Sequence, residues 1–187
     1  MFNAFIIILK KDLKDNFLSN KAWFTFSFFM LCLLIFPLSF GVSNNIQINI
    51  TIPAIWISAL LANLIAIEQM YKEDYQDGTL LYYSINGISC SVFVFAKCLS
   101  HWIFSGLPIV LLSPICSYIF SGVQNNTNLF LTLLIGTPIL TLIGSPISAI
   151  MLGASVRGPI LTFITLPFYL PIIIFGVMGS SIINNNI

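Results

Sequence analysis

Residues 68–84, EQMYKEDYQDGTLLYYS, decide how this chain is read. They hold five of its thirteen charged side chains, namely Glu68, Lys72, Glu73, Asp74 and Asp77, and lie between two long uncharged apolar runs. Ionised side chains are costly at membrane depth, so a charged stretch between two such runs has to return to water. Within it, Asp77-Gly78 marks a turn, because Asp bonds its own following backbone and Gly accepts a positive φ. Residues 68–74 extend a helical end, and Leu80, Leu81, Tyr82 and Tyr83 form an apolar knob. By pattern alone the stretch is either a segment that docks into a groove on a soluble protein or a solvated loop with its aromatics among the headgroups.

The rest of the chain supports a membrane setting. Of 187 residues, 58% are hydrophobic and only 7% charged, with a mean hydropathy of +0.99. Soluble domains carry about 25% charged residues, so these side chains cannot cover a water-facing surface. Runs near 20 residues point to helices, since barrel strands are about 10 residues of alternating polarity. The chain therefore reads as a single all-α transmembrane domain over residues 1–187, with an N-terminal amphipathic helix and five spans at 22–41, 50–67, 92–120, 129–152 and 160–183. Pro37 is expected to kink or end the first span. The third is longer than a bilayer needs, so its first turns, with Lys97 and His101, are expected to protrude or lie in the interface. Trp23 and Trp102 read as interfacial anchors.

Residues 1–21 form the interfacial helix. Phe2, Phe5, Ile6, Leu9, Leu13 and Phe17 recur at steps of three and four, while Lys10, Lys11, Asp12, Lys14 and Asp15 crowd the other arc. Such a helix lies in the membrane surface, apolar side down. The apolar residues precede the lysines, the reverse of a secretory signal. With five spans, every Lys, Arg, Asp and Glu falls on one side, and the bias of basic residues makes that side cytoplasmic. The opposite loops, 42–49 and 121–128, are polar and uncharged. Their Asn-x-Thr matches at Asn49 and Asn125 read as chance matches in solvated turns.

Chemistry-bearing residues are few. Cys32, Cys90, Cys98 and Cys116 show no CxxC spacing and read as free thiols. Lys97 and His101 are four apart, hence on one helical face. His101 admits three readings: interfacial bonding to a backbone carbonyl or to Glu68, coupling to a partner, or metal or haem ligation without a second histidine to help. Gly106, Pro108, Pro114, Gly136, Pro138, Gly144, Pro146, Pro167 and Pro171 suggest broken helices, which a packed bundle tolerates. The spacings Gly144-xxx-Ser148, Ser145-xxx-Ala149 and Ala149-xxx-Gly153 permit close helix approach. No nucleophile–base constellation or P-loop is present, so any ATP must be bound by another chain.

Six runs, taken in order, resemble the haem exporter protein B (CcmB) family: FPLSFG (36–41), PAIWISALLANLIAIE (53–68), YQDGTL (75–80), AKCLSHWIFSGLPIVLLSP (96–114), LLIGTP (133–138) and LPFYLPIIIFG (166–176). The resemblance implies the non-enzymatic permease subunit of an ABC-type complex in cytochrome c maturation, homodimeric within that complex. The membrane would be the bacterial inner membrane or an organelle membrane of bacterial origin, with the N-terminus cytoplasmic. A separate CcmA-like ATPase would hold the ATP, beside CcmC-like and CcmD-like membrane subunits and a CcmE-like haem chaperone. No cofactor is expected on the chain itself, and haem is either cargo or the load of the released chaperone. The match at YQDGTL implies a cytoplasmic coupling segment over 68–91, with Glu73, Asp74, Asp77, Gly78 and Leu80 as its working residues. Lys97, His101 and Trp102 also match the family pattern and are candidates for a coupling or haem-related role. The family pattern has six spans and both termini in the cytoplasm, so a last span is expected to be missing here. A haem-ligating membrane protein centred on His101 and a passive assembly scaffold are the alternatives.

Overall fold

A computed structural model describes residues 2–18, 21–40, 44–121, 127–152 and 158–182. All elements among them are helices: α1 (Phe2–Leu18), α2 (Lys21–Phe40), α3 (Asn44–Gln69), α4 (Lys72–Gln76), α5 (Thr79–Ile85), α6 (Cys90–Ser121), α7 (Thr127–Ile150) and α8 (Gly158–Ile182). By length and apolarity, α3, α6, α7 and α8 can each cross a membrane, and α2 carries a shorter apolar stretch, Trp23–Phe36. The five predicted spans thus correspond to α2, α3, α6, α7 and α8. Helix α2 continues through Pro37 and ends one turn further on, at Phe40.

Helix α3 is the centre of the bundle, touching α2, α6, α7 and α8. Lipid tails are as apolar as Leu, so helices associate here by close packing and by hydrogen bonds between them. Trp56 on α3 shows how. It is fully buried, and its ring occupies the space that a Cβ on Gly136 of α7 or Gly176 of α8 would need. Its indole N–H donates to Ser180 Oγ of α8 at 3.3 Å. Trp56 is therefore a core residue, as the two glycines opposite it require. The anchor reading of Trp102 is corrected: its Nε1 donates to Thr137 Oγ1 of α7 at 2.9 Å, between two helices. Trp23 remains exposed.

The small-residue spacing of α7 does what it predicts. Tyr169 of α8 and Ile67 of α3 close over Gly144, Ser145 Oγ meets Tyr71 Oη at 2.6 Å, and Ser148 Oγ donates to the Ile67 carbonyl at 2.8 Å. Tyr169 Oη donates to the Leu140 carbonyl at 2.8 Å and stands 3.3 Å from Asn63 Oδ1.

Two further expectations are corrected. Helices α6, α7 and α8 run unbroken through Pro108, Pro114, Pro138, Pro146, Pro167 and Pro171. A proline removes one backbone donor, and neighbouring helices hold the rest of the ladder in place. The predicted loop at 42–49 is largely helix, because α3 begins at Asn44. Uncharged Asn and Gln do not stop a helix where it leaves the apolar layer. The first Asn-x-Thr match is accordingly helical, with Thr51 buried. Asn125 and Arg157 lie outside the described residues.

Candidate functional site at the charged end

The segment between α3 and α6 folds as two short helices. Helix α3 ends at Gln69, α4 follows with one turn, and Gly78 at φ 71°, ψ 9° turns the chain into α5. Nothing lies within 4 Å of where a Cβ at Gly78 would stand. The glycine is thus required by backbone conformation and not by space. Aromatic contacts seat the segment on α6: Tyr71 and Tyr83 approach Phe93 with ring centroids at 6.0 and 5.4 Å.

The predicted apolar knob is split. Leu80 and Tyr83 pack inward against the cluster around Phe93, Tyr71 and Ile8. Leu81, Tyr82 and Ile85 are 66%, 64% and 76% exposed and form the outer face of α5. Glu73, Tyr75 and Asp77 are exposed as well. Asp74 is the exception among the predicted acidic residues: it is buried and faces the bundle. The reason is one of helical geometry, since Asp74 lies three residues after the buried Tyr71, on the same inward face of this single turn.

Inside, Asp74 meets Lys97 of α6. The two form an ion pair through Asp74 Oδ2, and Lys97 Nζ also donates to Asp12 Oδ1 of α1 at 3.1 Å. Lys11 Nζ stands 3.8 Å from Asp74 Oδ1 and 5.8 Å from the centre of the Tyr83 ring. One residue pair further along, Asn16 Nδ2 donates to Ser100 Oγ at 3.2 Å. Helix α1 is thus packed on α6 through Ile8, Asp12 and Asn16. The Asp12 carboxylate belongs to this inward face and not to the solvated arc read from the sequence. Lys97 and His101 face a cleft.

The cleft has a volume of about 280 Å³ and lies between α1, α2, α3, α4 and α6. It gathers Glu73, Asp74, Asp77, Lys97 and His101, which the sequence placed in two separate groups, and adds Lys11, Asp12 and Asp15. Gly78, Leu80 and Trp102 are outside its lining, and so is Glu68. His101 Nδ1 is 3.1 Å from Ser105 Oγ, and its Nε2 is enclosed. Among the described residues, no group of three or more His, Cys, Asp or Glu side chains is arranged to hold a metal ion. Lys11, Asp12 and Asp15 are the charged lining residues that sequence reasoning missed, and Asp12 is the buried one among them. A signal existed: Lys97 lies alone in a long apolar run and needs an acid to be tolerated there.

Burial lifts the Asp12 carboxyl above its ordinary range, with Lys97 acting against that shift and Asp74 adding to it. The sign of the consequence is definite. A carboxyl whose folded pKa is raised stabilises the fold fully below its unfolded pKa, and that contribution is lost as pH rises through the folded value. The stability of Asp12→Asn relative to the wild type is therefore expected to increase as pH rises through this range. Denaturation of both proteins in detergent across pH checks this; a difference independent of pH would rule it out.

The fold and this end of it define a polytopic α-helical membrane protein that concentrates its charged side chains beneath a short segment at one end of the bundle. The chain matches the family model described as CcmB protein over residues 3–187 and belongs to that family. Similar proteins include the heme exporter protein B of Pseudomonas aeruginosa, 31% identical over 94% of this chain and 80% of the relative. That of Haemophilus influenzae is 33% identical over 92% and 79%, and that of Escherichia coli K12 is 34% identical over 85% and 71%.

Proposed function

We propose that this chain is the membrane permease subunit of an ABC-type complex for haem export or haem-chaperone release in cytochrome c biogenesis. A separate CcmA-like ATPase would supply the energy, and CcmC-like and CcmD-like subunits and a CcmE-like chaperone would complete the machinery, with the permease itself paired to a second copy. In this reading the membrane is the bacterial inner membrane or one of bacterial origin, and the charged end faces the cytoplasm. Family membership and the names of the relatives support haem export as the process.

The observation that carries the coupling role is the α4–α5 segment. It presents Leu81, Tyr82 and Ile85 outward beside Glu73 and Asp77, at the end of the bundle where the charges collect. Large exposed apolar side chains rimmed by charge suit a protein partner, and the turn at Gly78 holds them clear of the spans. Within the predicted set, Asp77, Glu73 and Gly78 fit a docking face, whereas Asp74 and Leu80 support it from behind. The cleft beneath is less suited to haem. Its lining holds Asp12, Asp15, Glu73, Asp74 and Asp77 against Lys11 and Lys97, and that balance disfavours a ligand that carries carboxylates.

The test is affinity copurification with the host's candidate ATPase in mild detergent. The wild type is expected to retain the ATPase, and Asp77→Lys to reduce the retained amount at least tenfold. Equal retention by both would remove Asp77 from the docking face, and no retention by the wild type would remove the permease reading.

A further inference from the structure

Three helices meet at one ammonium group. Lys97 of α6 takes Asp12 of α1 on one side and Asp74 of α4 on the other, and its side chain is only 12% exposed. Lys11 of α1 reaches Asp74 as well, so α1 and α4 are also joined directly. Helix α4 has five residues, too few to be stable alone, because a single turn bears the whole cost of nucleation. Its backbone is continuous with α3 through Met70 and Tyr71, but a one-turn helix beside a glycine hinge would swing unless tied sideways. Ring contacts at Tyr71 and Tyr83 tolerate sliding. A buried ion pair does not, because a small displacement separates the charges before the enclosing helices part far enough to admit water.

We propose that Lys97 is a positioning residue that locks α1 and the α4–α5 segment onto α6 as one mechanical body, so that a push on the segment moves α6 and α1 together. Asp12 and Asp74 are the two arms of the lock. The functional half rests on the permease reading, and the mechanical half stands without it.

Spin labels at the exposed positions Lys14 of α1 and Lys72 of α4, with the exposed Cys90 replaced by Ser, measure the distance between the arms in lipid nanodiscs. With the network intact the distribution is expected to be narrow. Neutralising all three members together (Asp12→Asn, Asp74→Asn, Lys97→Met) avoids an unpaired buried charge and should broaden the distribution at least twofold. Inverting every member (Lys11→Glu, Asp12→Lys, Asp74→Lys, Lys97→Asp) restores each opposite-charge pair and should narrow it again. An unchanged width in the neutral triple variant overturns the proposal. Should that variant fail to fold, Asp12→Leu alone removes one arm together with its acceptor atom and is expected to broaden the α1–α4 distance; an unchanged width there overturns the proposal equally.

In the assembled complex, the neutral triple variant should lower export per ATP hydrolysed at least tenfold. A preserved ratio with a broadened distance would overturn the functional half alone. A wild-type chain that never retains an ATPase would overturn the permease reading, while the spin-label result still decides the lock.

Discussion

Lys97→Met is expected to lower the unfolding free energy by about 3–5 kcal/mol, whereas Asp12→Asn changes it by less than about 1 kcal/mol at neutral pH. The asymmetry follows from stoichiometry. Lys97 is the shared cation of two buried carboxylates, so its removal leaves Asp12 without its cation and Asp74 with only the more distant Lys11. An uncompensated buried charge costs more than the pair it belonged to contributed. Removing the Asp12 charge leaves one acid and one base still matched, and an Asn carbonyl oxygen remains to accept from Lys97. Reversible unfolding in mixed micelles, monitored by helix content, separates the two outcomes. Equal losses from both substitutions would show that Lys97 is not the hub.

Trp56→Ala is expected to cost about 3 kcal/mol, the lower end for deletion of a large core side chain. In a lipid setting little of this comes from transfer out of water, because the competing environment is also apolar. What is lost is contact. The ring fills the space between α3, α7 and α8 that Gly136 and Gly176 leave open, and its N–H bonds Ser180. No neighbour can collapse into that space without moving a helix. The same unfolding measurement applies, with Trp23→Ala as the contrast: Trp23 is 68% exposed and should cost well under half as much. Comparable losses at the two positions would contradict the packing argument.

These two predictions mark the boundary of what the amino-acid order discloses. The spans are legible because long uncharged apolar runs have one stable form in a bilayer, and the Asp77-Gly78 turn is legible because its φ requirement is local. Trp56 is different. In a chain that is 58% hydrophobic, hydropathy does not separate a face turned to lipid from one turned to protein. The signal for Trp56 is its placement opposite glycines on two other helices, which no single helix contains.

The same holds at the charged end. The inward face of α1 runs through Phe5, Ile8 and Asp12, adjacent to the Phe5, Leu9 and Leu13 stripe that hydrophobic periodicity selects. A carboxylate in place of an apolar residue hides that face from any count of apolar positions. The cleft was half legible: Glu73, Asp74, Asp77, Lys97 and His101 were all identified as candidates, yet as two groups. Their meeting depends on α4 folding back over the start of α6, a tertiary event set by Tyr71, Phe93 and Tyr83.

The length of α6 bears on why its lysine is dry. From Lys97 to Ser121 the helix rises about 36 Å, while the hydrocarbon layer is about 30 Å thick. Were the far end of α6 set at the opposite boundary, Lys97 would stand about 6 Å beyond the hydrocarbon layer, within reach of interfacial water. Lipid therefore does not desolvate this ion network; α1 and α4 do, as a lid made of protein. Lifting the lid would flood the network instead of stranding it in oil, turning a rigid joint into an ordinary hydrated surface pair worth about 0–1 kcal/mol.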